Sequence, residues 1–350
     1  MSPPPGRPKA GDTPPGGVAR SAGESDMSPP PGRPKAGDTP PGGLAGGAAV
    51  TIGAAWDAVS RDLRSAGLDF GHGCASAEDE AAWIVLHAAG IPASAAADFD
   101  ALRGHALTTG QAQQAAELAR QRIATRKPLA YLLHEAWLAG LRFHVDERVI
   151  VPRSFIAELL DGGDLDVWLA AAPEHVLDMC TGSGCLAVLA ALVWPHARVD
   201  AVDLSPDALA VAAINREAYD LQQRLQLIRS DLWESVPTAM RYDLVLCNPP
   251  YVPEASMRSL PPEYLHEPGM ALAGGPDGMD LVRRFLRGLP AHLSPGAVAV
   301  LEVGNERAAF ETAFPRLPAV WLETELHAEA VCVLLEQDLR EAFGDEGSAG

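Results

Sequence analysis

At 350 residues the chain has room for two domains and a sizeable buried core. It carries 46 acidic side chains against 27 basic ones, a formal charge of −19, which excludes broad electrostatic binding of nucleic acid. Residues 1–50 hold five basic and four acidic groups, so they mask no basic domain behind them.

Met1–Gly17 recurs letter for letter as Met27–Gly43, and the two copies supply twelve of the 30 prolines. Such Pro/Gly-rich polar sequence buries too little apolar surface to offset its ordering entropy, so residues 1–50 are expected to form a disordered, duplicated tail. A tandem duplication or a start site placed too early is the plainest origin. The longest apolar run, Cys185–Trp194, is too short for a bilayer, which needs ~20 residues, and no secretory signal pattern opens the chain. A cytoplasmic protein is expected. Five cysteines, an odd and sparse set, are expected to be reduced thiols.

Residues 51–127 read as a small helical domain. Trp56, Val59 and Leu63 fall on one helix face. Ser76 followed by Glu78, Asp79 and Glu80 opens a second helix that stops at Gly90, and a third runs from about Thr109 to Arg126. Residues 128–152 read as a β-hairpin connector with extended segments at Leu129–Leu133, Trp137–Val145 and Arg148–Val151. Pro152-Arg153-Ser154 closes the connector and starts another helix.

Over 153–338 strands and helices alternate. Strands are expected at His175–Met179, Arg198–Asp203, Leu225–Arg229, Tyr242–Cys247 and Ala297–Glu302, with helices at Cys185–Val193, Pro206–Tyr219 and Asp277–Leu289. Apolar strands separated by amphipathic helices imply an α/β fold, a mainly parallel sheet covered on both faces, closed by an antiparallel pair at Val320–Glu323 and Val331–Glu336. Residues 339–350 are expected to be a flexible tail. Ligands of such sheets bind beyond the carboxyl ends of the strands.

The first strand runs into Asp178-Met179-Cys180-Thr181-Gly182-Ser183-Gly184. Gly182, Gly184 and Ala187 satisfy the loose dinucleotide pattern, with Asp203 at the next strand end, so a nicotinamide cofactor is one reading. Asp178 argues for another: a carboxylate beside the loop repels a pyrophosphate and favours a cationic sulfonium, as in S-adenosylmethionine. Asp203 can take two ribose hydroxyls, and Asp231 an adenine amino group with Leu232 against the ring. Each aspartate alone also suits a helix cap or a solvated loop.

After the fourth strand comes Asn248-Pro249-Pro250-Tyr251. Two prolines remove two backbone donors and leave rigid carbonyl acceptors. A planar NH₂ group fits there, one hydrogen on the Asn248 side-chain oxygen, the other on the Pro249 carbonyl, with Tyr251 packing on the plane.

This tetrapeptide, with Asp178–Gly184 and Asp203, resembles the class I S-adenosylmethionine-dependent methyltransferases (Rossmann-like) acting on amino groups joined to a planar system. Further matches at His134–Gly140, Val151–Ser154, Leu177–Cys185, Tyr264–Pro268 and Glu302–Asn305 resemble the protein-glutamine N(5)-methyltransferases, in their branch specific for ribosomal protein L-three rather than the one for peptide release factors. The similarity covers about residues 55–337. One departure is Phe155, where that branch commonly has Pro.

The resemblance implies transfer of a methyl group from S-adenosylmethionine, leaving S-adenosylhomocysteine, to a glutamine amide of ribosomal protein L-three, free or in an assembling large subunit. It implies no metal, no membrane and at most indirect nucleic-acid contact. Cofactor residues would be Asp178, Cys180, Thr181, Gly182, Ser183, Gly184, Asp203, Leu204, Asp231, Leu232 and Asn248. Asn248, Pro249 and Tyr251 would serve catalysis, and these with Pro250 and Arg153 would hold the substrate. Arg153 equally suits a joint between connector and domain. His266 beside Glu267 reads as an interaction holding its loop, and Cys180 and Cys185, without a second pair, as packing thiols. The same chemistry on release factors, a nucleic-acid amino group, an oxidoreductase and a non-catalytic assembly factor stay open.

Overall fold

The computed structural model describes residues 49–93, 98–324 and 328–344. The duplicated tail expected over 1–50 lies outside them, save residues 49 and 50. Helix α1 (Ile52–Ser65) starts where the Thr51 hydroxyl accepts from the Ala54 N–H, and it buries Ile52, Ala55, Val59 and Leu63. Trp56 is half-buried on the same helix and donates its indole N–H to the Glu78 carbonyl at 2.9 Å. Helix α2 (Ala77–Ala89) is capped by Ser76 and ends on left-handed Gly90, both as read from sequence. A single turn, α3 (Phe99–Leu102), precedes α4 (Thr109–Thr125), which opens on a full capping box between Thr108 and Gln111.

The connector departs from expectation in two places. Leu129–Leu133 is a helical turn, α5, because Leu-Ala-Tyr-Leu-Leu favours helix after Pro128 and left-handed His134 ends it. Its Tyr131 hydroxyl donates to the Val149 carbonyl. Arg148–Val151 is not a strand, since its polar groups go elsewhere: Val149 N–H bonds the Asp146 carbonyl at 3.1 Å and Val151 N–H the Glu267 carboxylate at 2.9 Å. The hairpin itself is short, β1 (Ala136–Leu138) against β2 (Leu141–Phe143).

Beyond α6 (Ile156–Gly162) come β3 (His175–Met179), α7 (Cys185–Val193), β4 (Arg198–Asp203), α8 (Pro206–Ala218), β5 (Leu225–Arg229) and β6 (Tyr242–Cys247). Then follow the turn α9 (Glu254–Met257), α10 (Asp280–Gly288), β7 (Leu293–Glu302), α11 (Arg307–Ala313), β8 (Val320–Glu323), β9 (Ala328–Leu335) and α12 (Glu336–Phe343). The seven-stranded sheet runs β5-β4-β3-β6-β7-β9-β8. Its first five strands are parallel, and β9 is antiparallel to both neighbours. The closing pair was legible; the tail was not. Leu339, where a flexible tail was expected to begin, is wholly buried within α12, because the apolar side of that amphipathic helix packs against β7 and β9.

The strand order reverses between β3 and β6, and Met179 pairs with Cys247 at their carboxyl ends. The glycine loop and the Asn-Pro-Pro-Tyr loop therefore leave the sheet side by side. That is the topological switch point where open α/β sheets take ligands.

The predicted regions 51–127, 128–152 and 153–338 are parts of one compact unit. The apolar cluster of the helices continues through Val145, Val149 and Val151 of the connector into Ala208 and Val211 of α8.

Candidate functional site

A cavity of about 420 Å³ opens at the switch point. Of the residues predicted for a cofactor, Cys180, Gly182, Asp203, Leu204, Asp231, Leu232 and Asn248 line it. Asp178, Thr181, Ser183 and Gly184 do not; they build the loop from beneath. Asn248 and Pro250 line the cavity, while Pro249, Tyr251 and Arg153 are not among its lining residues.

The loop's shape follows from its buried contacts. Asp178, 1% exposed, accepts from the Thr181 hydroxyl at 2.5 Å and the Ala187 N–H at 3.0 Å, pulling loop and helix start onto the strand end. Its Oδ1 is buried without a hydrogen-bond partner. Asp178, expected at the strand tip beside the loop, lies there under the loop, because its Thr181 and Ala187 donors are on the protein side. Burial pushes its pKa up to about 7. Gly184 is required by close packing: a Cβ there would meet the Ala212 Cβ of α8 at 3.0 Å, in a backbone with φ of +79°. Gly182 has open space where a side chain would begin and so leaves its backbone bare to the cavity.

Asp203 accepts Gly182 N–H through Oδ2 and Ser205 N–H through Oδ1, each at 2.9 Å, which aims the carboxylate at the cavity and leaves further acceptor capacity on both oxygens. Asp231 is held by Arg284 at 2.9 Å, and both line the cavity. Cys180 and Leu232 line it too, in left-handed backbone with φ of +62° and +51°. Non-glycine residues there cost about 1–3 kcal/mol each and gather at ligand sites. Leu204 and Met270 are unusually exposed apolar walls, at 49% and 55%. Cys185, by contrast, is buried in the core as the first residue of α7, as the packing role requires, and all five cysteines are free thiols.

Sequence reasoning missed the far wall, supplied by Arg148–Ile150 of the connector and by Pro268–Gly275 after the tetrapeptide. It also missed Asn215 on α8, 1% exposed, which accepts His144 N–H at 2.7 Å and donates to the His144 and Ser183 carbonyls at 3.0 and 2.8 Å. A buried asparagine inside an amphipathic helix was the available signal.

Arg153 is committed to Glu267 through both terminal nitrogens, at 2.6 and 2.7 Å, so the structure gives it the joint and not a free cationic head. Burial alone would raise the Glu267 carboxyl, but Arg153 overrides it and holds the pKa at about 2. His266 does not face Glu267; its ring bonds the Thr125 carbonyl at 3.0 Å, tying the loop to α4. Glu263, on the same segment, is fastened to Arg126 at 2.7 Å and to the Asp69 N–H at 3.1 Å. The segment that walls the cavity is therefore anchored on the helical region.

These carboxyls set the pH dependence of stability. Asp178 and Glu302, pushed up to about 7 by burial, sit above their unfolded values of about 4. The folded state keeps protons that the unfolded chain releases, so their contribution is lost as pH rises from about 4 through 7. Glu267, held at about 2, contributes above its unfolded value, and that is lost as pH falls from about 4 through 2. The thermal midpoint at pH 5.5 is expected to lie several degrees above that at pH 7.5 in scanning calorimetry, with Glu302→Gln flattening the slope. A midpoint that climbs toward pH 8 would contradict the burial of both groups.

The switch-point cavity, the parallel sheet with its antiparallel closure and the Asn-Pro-Pro-Tyr loop together define a class I methyltransferase. Residues 165–267 match the family model described as methyltransferase small domain. The chain is 52% identical over 284 residues to the ribosomal protein uL3 glutamine methyltransferase of Bordetella pertussis, covering 81% of this chain and 93% of that one. The protein of the same name from Burkholderia pseudomallei is 48% identical over 296 residues, covering 82% and 94%, and that of Neisseria gonorrhoeae 46% over 269 residues, covering 76% and 88%. This chain belongs to the ribosomal protein uL3 glutamine methyltransferase family.

Proposed function

We propose that the chain methylates the side-chain amide nitrogen of a glutamine in ribosomal protein uL3, using S-adenosylmethionine, in the cytoplasm. The observation that carries the chemistry is the adjacency of two loops: Asn248 and Gly182 line one cavity from neighbouring strand ends. The cavity suits the cofactor in two respects. It has carboxylates at consecutive strand ends and exposed apolar walls for a ring.

Asp203 would hold the ribose hydroxyls, Asp231 the adenine amino group with Leu232 against the ring, and the Cys180–Gly184 loop the amino-acid end. Asp178 acts from below, shaping the loop and supplying negative charge. When bound, S-adenosylmethionine supplies a sulfonium-activated methyl group. A glutamine amide nitrogen is a poor nucleophile because its lone pair is delocalised, as the ~18–20 kcal/mol rotation barrier of amides attests. The Asn248 side-chain oxygen and the Pro249 carbonyl offset this by accepting both N–H bonds. They fix the nitrogen's direction and favour positive charge as it grows there, and orientation of this kind contributes up to ~7–11 kcal/mol. The nitrogen gains a methyl group and releases one proton to solvent or a carbonyl.

Peptide mass spectrometry of ribosomal proteins from cells with and without the gene tests this reading. One methyl on a uL3 glutamine, absent in the deletion, is the expected result. An unchanged uL3 with a release-factor glutamine losing its methyl would overturn the substrate and keep the chemistry.

A further inference from the structure

Glu302 closes β7, beside the strand that carries the tetrapeptide, and Cys247 pairs with Leu301 there. It is 1% exposed, and a buried carboxylate needs donors. It finds them on two separate pieces of chain. Oε2 accepts the Ser154 hydroxyl at 2.5 Å and the Phe155 N–H at 3.0 Å, both at the end of the connector; Oε1 accepts the Tyr251 hydroxyl at 3.4 Å. The neighbouring cation, Arg153, is turned to Glu267 instead. Tyr251 itself lies on the Gly304 backbone, where a Cβ would stand 2.6 Å from the ring. The ring is thus confined on one face by the chain and at its tip by Glu302. Phe155 contributes a backbone N–H that a proline there would lack.

We propose that Glu302 is a positioning residue for methyl transfer: through the Tyr251 hydroxyl on one side and the Ser154 hydroxyl and Phe155 N–H on the other it locks the Asn248–Tyr251 loop to the connector and so holds the loop's two acceptors in place. It does not touch the reacting nitrogen. The inference rests on the methyl-transfer reading above and deepens it.

The test is a double-mutant cycle on the full chain with purified uL3 as substrate, reading kcat, KM and, separately, cofactor affinity by calorimetry. Glu302→Gln and Tyr251→Phe are each expected to lower kcat about tenfold, with KM and cofactor affinity within twofold of wild type. The double variant should be no slower than the slower single, because both remove one coupling. Losses that multiply, or an unchanged kcat in Tyr251→Phe, would overturn the proposal. Tyr251→Phe removes a single hydroxyl and Ser154→Ala a second donor to the same carboxylate. If Glu302→Gln fails to fold, those two variants complete the test, and an unchanged kcat in either would overturn it. A wild-type chain inactive on uL3 would instead count against the substrate reading.

Discussion

Asn248→Ala is expected to lower kcat by roughly 10²–10³-fold while cofactor affinity changes only a few-fold, measured by single-turnover methylation of uL3 and by calorimetry. The scale is that of removing one preorganised hydrogen-bonding group from a developing charge. Alanine keeps the backbone of the turn, which Pro249 and Pro250 restrain. It deletes the one side-chain acceptor that the tetrapeptide offers to the cavity. The cofactor, by contrast, would keep Asp203, Asp231 and the glycine loop. An unchanged turnover would refute the role assigned to Asn248. A loss of affinity as large as the loss of rate would move it from the substrate to the cofactor.

Arg153→Ala is expected to destabilise the fold by about 3–5 kcal/mol, because it strands Glu267 as a buried charge. The Glu267 side chain is fully buried, and its other contacts, the Val151 N–H at 2.9 Å and His72 at 3.7 Å, replace neither of the two guanidinium bonds. The pairing Arg153→Met with Glu267→Leu should recover most of the loss, since apolar groups of similar volume remove both charges together. Urea unfolding of the three chains decides it. Wild-type stability in Arg153→Ala with a raised KM for uL3 would return Arg153 to the substrate.

Both outcomes depend on how the chain brings its motifs together, and that was readable to unequal degrees. The five parallel strands could be read to within a residue, except for the start of β7, because each is a short stretch rich in apolar residues and bounded by turn residues; β3 and β6 are buried nearly throughout, while β5, at the sheet edge, is only partly so. Ser76, Gly90 and Pro206 marked helix ends by local chemistry alone. Leu129–Leu133 was misread because five apolar residues fit either period, and only the hydroxyl of Tyr131 reaching Val149 shows which face turns inward. The turn α11 carried no side-chain cap and escaped notice.

The cavity divides in the same way. Asn248, Pro250, Gly182, Asp203 and Asp231, which line it, were legible because each is a local signal at a strand end, and strand ends follow from periodicity. Glu302 and Asn215 went without a role, and Glu267 was paired with the wrong neighbour, because their partners lie 147, 71 and 114 residues away in sequence. No window along the chain contains both members of such a pair. By itself, then, the amino-acid order determined the strands, their alternation with helices, and the loops that hold acceptors and glycines, all consequences of spacing within about 20 residues. The tertiary structure alone decided that Asp178 lies under its loop, that Arg153 is a joint, and that two buried carboxylates clamp the connector beside the tetrapeptide. The reason is that burying a charge requires donors from wherever the fold brings them, and desolvation, unlike periodicity, is a property of the assembled whole.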